Sequence, residues 1–128
     1  AFSKIGLIPD SGGTYFLPRL VGWQKASALM MLGDKVTATE AAGMNMIYKA
    51  LPDADFAATS LQIAQMLAQM PTKGLALTKE ALNYSLTNNL QQQLQTEEKL
   101  QLQAGQTHDY NEGVQAFLQK RAPQFKGE

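Results

Sequence analysis

The chain has no cysteine, a single histidine, and no apolar run near the roughly eighteen residues needed to cross a bilayer. Each absence excludes something. Without thiols there are no disulfides, no cysteine nucleophile and no thiolate metal site. His108 has no second His or Cys at ligand spacing, which argues against zinc; its plain reading is a loop residue beside a helix cap. A G-x-S-x-G elbow, a phosphate-binding loop and a dinucleotide fingerprint are all missing. Charge of one sign is missing too: 11 basic and 11 acidic residues cancel, whereas a phosphate-binding domain usually carries a basic excess. The expectations are therefore no nucleic acid, no membrane and no metal, and the lack of thiols fits a cytoplasmic location.

What is present reads as globular. Of the 128 residues, 45% are apolar and 17% charged, too hydrophobic and too balanced for a disordered segment. Length alone fits one domain. Yet the chain lacks an initiator Met and opens on Ala1-Phe2-Ser3-Lys4-Ile5, as if entering an element already under way. It therefore reads as a piece of a longer protein.

Punctuation divides the rest into short helices. Asp10-Ser11-Gly12-Gly13-Thr14 is a loop leading into Tyr15–Val21, with Gly22 as the stop. Trp23–Leu32 follows and Gly33 ends it. Thr37-Ala38-Thr39-Glu40 has capping-box spacing, so a helix runs on to Gly43. Met46–Leu51, short and rich in β-formers, is the strand candidate. Between Asp55 and Met70 the residues Phe56, Ile63, Leu67 and Met70 form one stripe, and Pro71 stops that helix. Thr72 is placed to cap the next, which breaks at Asn88-Asn89. A Gln-rich helix from Leu90 to about Gln103 ends at Gly105. Asp109-Tyr110-Asn111-Glu112 opens a last one, with Val114, Phe117 and Leu118 inward and Gln115, Gln119 and Lys120 outward. The polar faces between Ala57 and Thr96 are mostly uncharged, which suits packing against another subunit as well as against water.

One segment could carry chemistry. Ile5-Gly6-Leu7-Ile8-Pro9-Asp10-Ser11-Gly12-Gly13-Thr14 sets a carboxylate, a hydroxyl and two glycines at a helix entrance, where free N–H groups attract anions and glycines permit close approach. Burial among Ile5, Leu7, Ile8 and Phe16 would make Asp10 a proton carrier. Alternatively, Asp10 or Ser11 is simply the helix N-cap.

The run from Ala1 to Gly22, with its I-G-L-x-P-D-x-G-G-T string and closing L-P-R-L-V-G, resembles the enoyl-CoA hydratase/isomerase (crotonase) superfamily. Leu32-Gly33-Asp34-Lys35-Val36-Thr37-Ala38, Ala41-Ala42-Gly43-Met44 and the closing run from Glu112 to Gly127 extend the resemblance over the whole chain. It implies the C-terminal helical part of a crotonase-type α/β fold built of ββα repeats, here mainly α with one or two short strands. Residues 1–52 would be the end of the core with the acid-bearing loop, and 53–128 a helical oligomerisation region. The implied reaction is proton transfer by Asp10 on a CoA thioester, whose enolate is held by two backbone N–H groups outside this chain. Hydratases of the family carry a Glu where Phe2 stands, whereas isomerases carry the acid at Asp10. Within the family the likeness is greatest to isomerases of phenylacetate breakdown. By the same resemblance Gly12 and Gly13 meet the acyl group, Tyr15 and Phe16 either line its pocket or belong to the core, and Lys120 either reaches the nucleotide end of CoA on a neighbouring subunit or is a plain surface lysine. Gln101 replaces an aromatic that stacks on adenine in some relatives. The implied partners are an acyl-CoA substrate and further copies in a trimer or hexamer. The chain by itself is expected to be inactive and to self-associate. A fatty-acid-type hydratase and a non-catalytic helical assembly module are the competing readings.

Overall fold

The computed structural model describes residues 2–128; Ala1, on which the opening motif begins, lies outside them. Among the described residues all regular structure is helical. A 3-10 turn at Phe2–Ile5 precedes α1 (Gly13–Val21), α2 (Trp23–Leu32), α3 (Ala38–Gly43), α4 (Asp53–Ala68), α5 (Thr72–Ser85), α6 (Leu90–Gly105) and α7 (His108–Leu118). The mainly helical expectation holds. The strand at Met46–Leu51 does not form: the Met46 and Ile47 N–H groups turn back to the Ala41 carbonyl at 2.9 and 3.4 Å. With no sheet among the described residues to complete a ladder, an extended segment has nowhere to place its backbone hydrogen bonds.

The chain forms two compact units, one running to Phe56 and the other from Ala57 to Glu128, with the division falling inside α4. In the first, α2 packs on α1 and on the 3-10 turn, burying Ala26. Gly22 and Gly33 end their helices at positive φ, 81° and 68°, where a side-chain-bearing residue is disfavoured. The capping box of α3 forms as the spacing requires: Glu40 N–H donates to Thr37 Oγ1 at 3.2 Å, and Thr37 N–H donates to Glu40 Oε2 at 2.9 Å. Those bonds from Thr37 hold the Glu40 carboxyl below its ordinary value.

In the second unit α5 packs on α6 and α6 on α7, with Leu77, Leu100 and Ala116 buried. Their joint is made of neutral side chains. Asn88 Nδ2 donates to Gln93 Oε1 and Thr96 Oγ1 at 3.1 and 3.2 Å, while Gln93 Nε2 reaches the Ala81 carbonyl at 3.1 Å. Part of the Gln-rich face is thus used within the unit. Asn89, read as a break, is also the N-cap of α6, in a capping box with Gln92.

Three expectations fail here. Thr72 is the first helical residue of α5, and Pro71 takes the cap position with no side-chain bond. Thr107, not Asp109, caps α7, because its hydroxyl accepts the Tyr110 N–H at 3.0 Å while Asp109 is drawn inward. Finally Val114, Phe117 and Leu118 are exposed, by 83% for Phe117. Of the stripe from Phe56 to Met70 only Ile63 is half-buried, the others being exposed, and no residue of α4 is buried. The buried apolar set among the described residues is Ala26, Ala41, Leu77, Leu100 and Ala116, side chains too few and too small to cover the rest. Among the described residues no helix is long and apolar enough to cross a membrane.

Candidate functional site

The loop from Pro9 to Gly13 is shaped by its backbone. The Gly13 N–H donates to the Asp10 carbonyl at 2.8 Å, closing a turn through Ser11 (φ 52°) and Gly12 (φ 82°). Both residues are left-handed, and at Gly12 a side chain would also collide, because an added Cβ would lie 3.1 Å from the Phe16 ring. Gly12 then serves as the N-cap of α1: its carbonyl accepts the N–H groups of Tyr15 and Phe16 at 3.0 and 2.9 Å. Neither Asp10 nor Ser11 is therefore the cap.

Freed from capping, the Asp10 side chain is exposed, and its one hydrogen bond among the described residues comes from Ser11 Oγ at 3.2 Å. It lines a cavity of about 380 Å³ in the first unit. Gly13 lines it too, with Phe2 from the 3-10 turn, Leu17 from α1 and Met30 from α2. The other carboxylate in the lining is Asp34, from the loop after α2. A carboxylate at the mouth of a mostly apolar cavity can hold or move a proton on a group docked there. The apolar residues expected around Asp10 are not packed there: Ile5, Leu7, Ile8 and Phe16 are 72, 57, 78 and 50% exposed.

Tyr15 and Phe16 stand outside this lining. Their rings meet edge to face at 5.1 Å, and the Arg19 guanidinium lies 3.6 Å above the Tyr15 ring while donating to the Tyr15 carbonyl at 2.8 Å. This arrangement stiffens the turn of α1 behind Asp10. Lys120 belongs to the other unit, at the end of α7, where it is exposed. Gln101 lies along a separate groove beside α5 and α6.

Sequence reading missed a cluster of charged residues in the second unit. Asp109 is 2% exposed, and its carboxylate accepts the Lys126 and Gly127 N–H groups at 2.7 and 2.8 Å. Burial pushes its carboxyl upward, but those two N–H groups and His108 outweigh burial and leave it lowered. Glu112 receives the Arg121 guanidinium on both oxygens, at 2.5 and 2.8 Å, and the Gln124 N–H at 2.8 Å. The bonds from Arg121 and Gln124 hold the Glu112 carboxyl down to about 2. The tail is thereby folded back on α7, with the Phe125 ring over Gly113. Gly127 (φ 81°) closes against Thr72, whose Oγ1 would be 2.5 Å from any added Cβ. Only the spacing of Glu112 and Arg121 across a helix end could have hinted at this. Among the described residues no group of three or more His, Cys, Asp or Glu side chains is arranged to hold a metal ion.

Comparison with known proteins gives a consistent picture. Residues 1–128 match the family model described as enoyl-CoA hydratase/isomerase. The chain is 49% identical, over 127 residues, to the 1,2-epoxyphenylacetyl-CoA isomerase of Escherichia coli (strain K12), covering 99% of this chain and 48% of that protein. It is 46% identical to a protein of Rhodobacter capsulatus named probable enoyl-CoA hydratase, covering 99% of this chain and 49% of that one. Among solved structures, an enoyl-CoA hydratase/isomerase from Cupriavidus metallidurans CH34 superimposes with a TM-score of 0.91 at 35% identity, covering 99% of this chain and 48% of that one. The chain thus spans about half the length of the curated relatives it matches.

Proposed function

This chain belongs to the enoyl-CoA hydratase/isomerase family, and from that premise we propose that it supplies the proton-transferring carboxylate of an acyl-CoA isomerase. The observation that carries this reading is Asp10, aimed by a glycine turn at a largely apolar cavity whose lining includes Phe2. In the family resemblance Phe2 stands where hydratases keep a second acid, so the cavity has an apolar ring where water activation would need a carboxylate. Asp10 would take a proton from one carbon of the acyl group and return it at another. The thioester enolate formed between the two steps would be held by backbone N–H groups supplied outside this chain.

The likeness to a 1,2-epoxyphenylacetyl-CoA isomerase points to an aromatic acyl group and a place in phenylacetate breakdown. Gly12 and Gly13 shape the acyl site through the turn, Tyr15 and Phe16 back it, and Lys120 meets the nucleotide end of CoA. The CoA thioester is the substrate, and no separate cofactor enters the reaction. Exposed Trp23, Tyr48 and Phe117, at 78, 92 and 83%, support further protein covering these faces, from the rest of a longer chain and from other copies in a homo-oligomer.

Hydration is the second reading, and one observation favours it: Asp34 gives the same cavity a second carboxylate. Assaying the full-length gene product with ring-epoxidised phenylacetyl-CoA and with crotonyl-CoA separates the two. Isomerisation of the first, lost in Asp10→Asn, is the expected outcome. Efficient hydration of the second, lost equally in Asp10→Asn and Asp34→Asn, would replace the isomerase reading.

A further inference from the structure

Helix α7 ends with a lysine where a glycine usually stands. The Lys120 N–H donates to the Phe117 carbonyl at 3.2 Å, and the Arg121 N–H reaches past it to the Ala116 carbonyl at 3.0 Å. In this paired cap the residue at the turn adopts left-handed backbone and is most often glycine. Lys120 has φ 53°, a conformation that a Cβ disfavours and that persists only where the surroundings over-determine it.

The over-determining contacts sit on both sides of Lys120. Arg121 grips the Glu112 carboxylate with two N–H groups, and its Nε donates to Gln119 Oε1 at 2.8 Å. The oxygen of Glu112 that takes the Arg121 Nη1 also takes the Gln124 N–H, tying the chain beyond the turn to the same helix. With its carboxyl held at about 2, Glu112 is ionised throughout the neutral range. Residues 119, 121 and 124 are thus all engaged. The Lys120 ammonium is exposed and has no hydrogen-bond or ion-pair partner among the described residues.

We propose that Glu112 and Arg121 are positioning residues that hold Lys120 in its left-handed turn, presenting the ammonium as a fixed cation to a phosphate at the nucleotide end of the acyl-CoA. This rests on the reading that Lys120 meets that end of the substrate. Lysine is a compact charge on a flexible stem, so fixing its backbone leaves less freedom to lose when the phosphate arrives. Because Glu112 occupies the neighbouring guanidinium, Lys120 is the one of these two adjacent cations whose charge stays open to an anion. The pair thereby acts on affinity without touching the ligand.

The test compares dissociation constants of the full-length gene product for phenylacetyl-CoA and for phenylacetyl-pantetheine, which lacks the nucleotide phosphates. The informative quantity is their ratio, since loss of folded protein weakens both ligands alike. Lys120→Met is expected to reduce the preference for the CoA thioester about tenfold, the size of one lost charge-assisted contact. Glu112→Gln is expected to reduce the same preference in the same direction, and Arg121→Lys, which keeps the charge but loses the two-pronged grip, to reduce it less. Should Glu112→Gln fail to fold, Arg121→Lys carries the comparison. If the wild type has no preference for the CoA thioester, or Lys120→Met retains it in full, the assignment of Lys120 falls and the inference with it. If Lys120→Met lowers the preference while folded Glu112→Gln or Arg121→Lys does not, the positioning role is overturned and Lys120 keeps its assignment.

Discussion

Two aspartates near helix starts, one in each unit, are put to opposite uses. Asp109, on the first turn of α7, is buried and saturated by two backbone N–H groups of the tail. Asp10, three residues before α1, is exposed, and Ser11 alone of the described residues donates to it. The difference lies in who does the structural work. In the first unit the turn is held by backbone bonds and the left-handed Gly12, so the carboxylate is spared. In the second unit carboxylates do the holding and are consumed by it. A group available for chemistry is therefore one the fold does not need, and identical residue types near helix starts carry no functional meaning until their partners are counted.

The sharpest test of this contrast is a matched pair of substitutions. Asp10→Asn in the full-length gene product is expected to lower turnover on its acyl-CoA substrate by about 10²–10⁴-fold, the usual range for removing an acid–base group, with a stability change of about 0.5 kcal/mol or less. Steady-state kinetics and thermal melts read both quantities. Asp109→Asn should do the reverse: its melting temperature falls because two backbone N–H groups of the tail lose an ionised acceptor, while turnover is expected to hold. Equal stability losses in the two variants would erase the distinction.

The left-handed positions give a smaller, signed version of the comparison. Gly12→Ala should destabilise by roughly 1–2 kcal/mol, since the backbone disfavours a Cβ there and the Phe16 ring blocks it. Lys120→Gly should stabilise by up to about 1 kcal/mol, because its strain is relieved. Denaturant melts of the two variants should move in opposite directions.

Acid supplies the smallest and most local effect. The Glu112 carboxyl is lowered from 4.5 to about 2 in the folded chain, so its contribution to stability is complete above about 4.5 and is lost as pH falls through about 2. Within that window amide-exchange protection at Gln124, bonded to Glu112, should fall while that at Gln92, bonded to the neutral Asn89 side chain, holds. Parallel loss at both amides would mean global unfolding instead.

Helix ends marked by glycine or proline were legible, because Gly22, Gly33 and Pro71 act through their own backbone restrictions. The capping box at Thr37 was legible for the same reason: donor and acceptor lie within one turn. What depends on distant residues was not. Thr107 and Asp109 both offer a cap, and only the tail arriving from residue 126 decides between them. Met46–Leu51 has strand-like composition but no partner strand among the described residues. The left-handed Ser11 and Lys120 carry no glycine to announce them. At the candidate site Asp10 was readable from its motif, whereas the joining of Phe2, Met30 and Asp34 around it comes from three separate segments that no periodicity links.

The joint between α5 and α6 has a consequence of its own. Asn88, Gln93 and Thr96 bind one another and the Ala81 carbonyl without a single formal charge. Such a fastening is indifferent to salt and to the protonation of its surroundings, unlike the tail's carboxylates. In acid or brine the second unit should therefore loosen from its C-terminal end inward, with the α5–α6 hairpin the last part to let go.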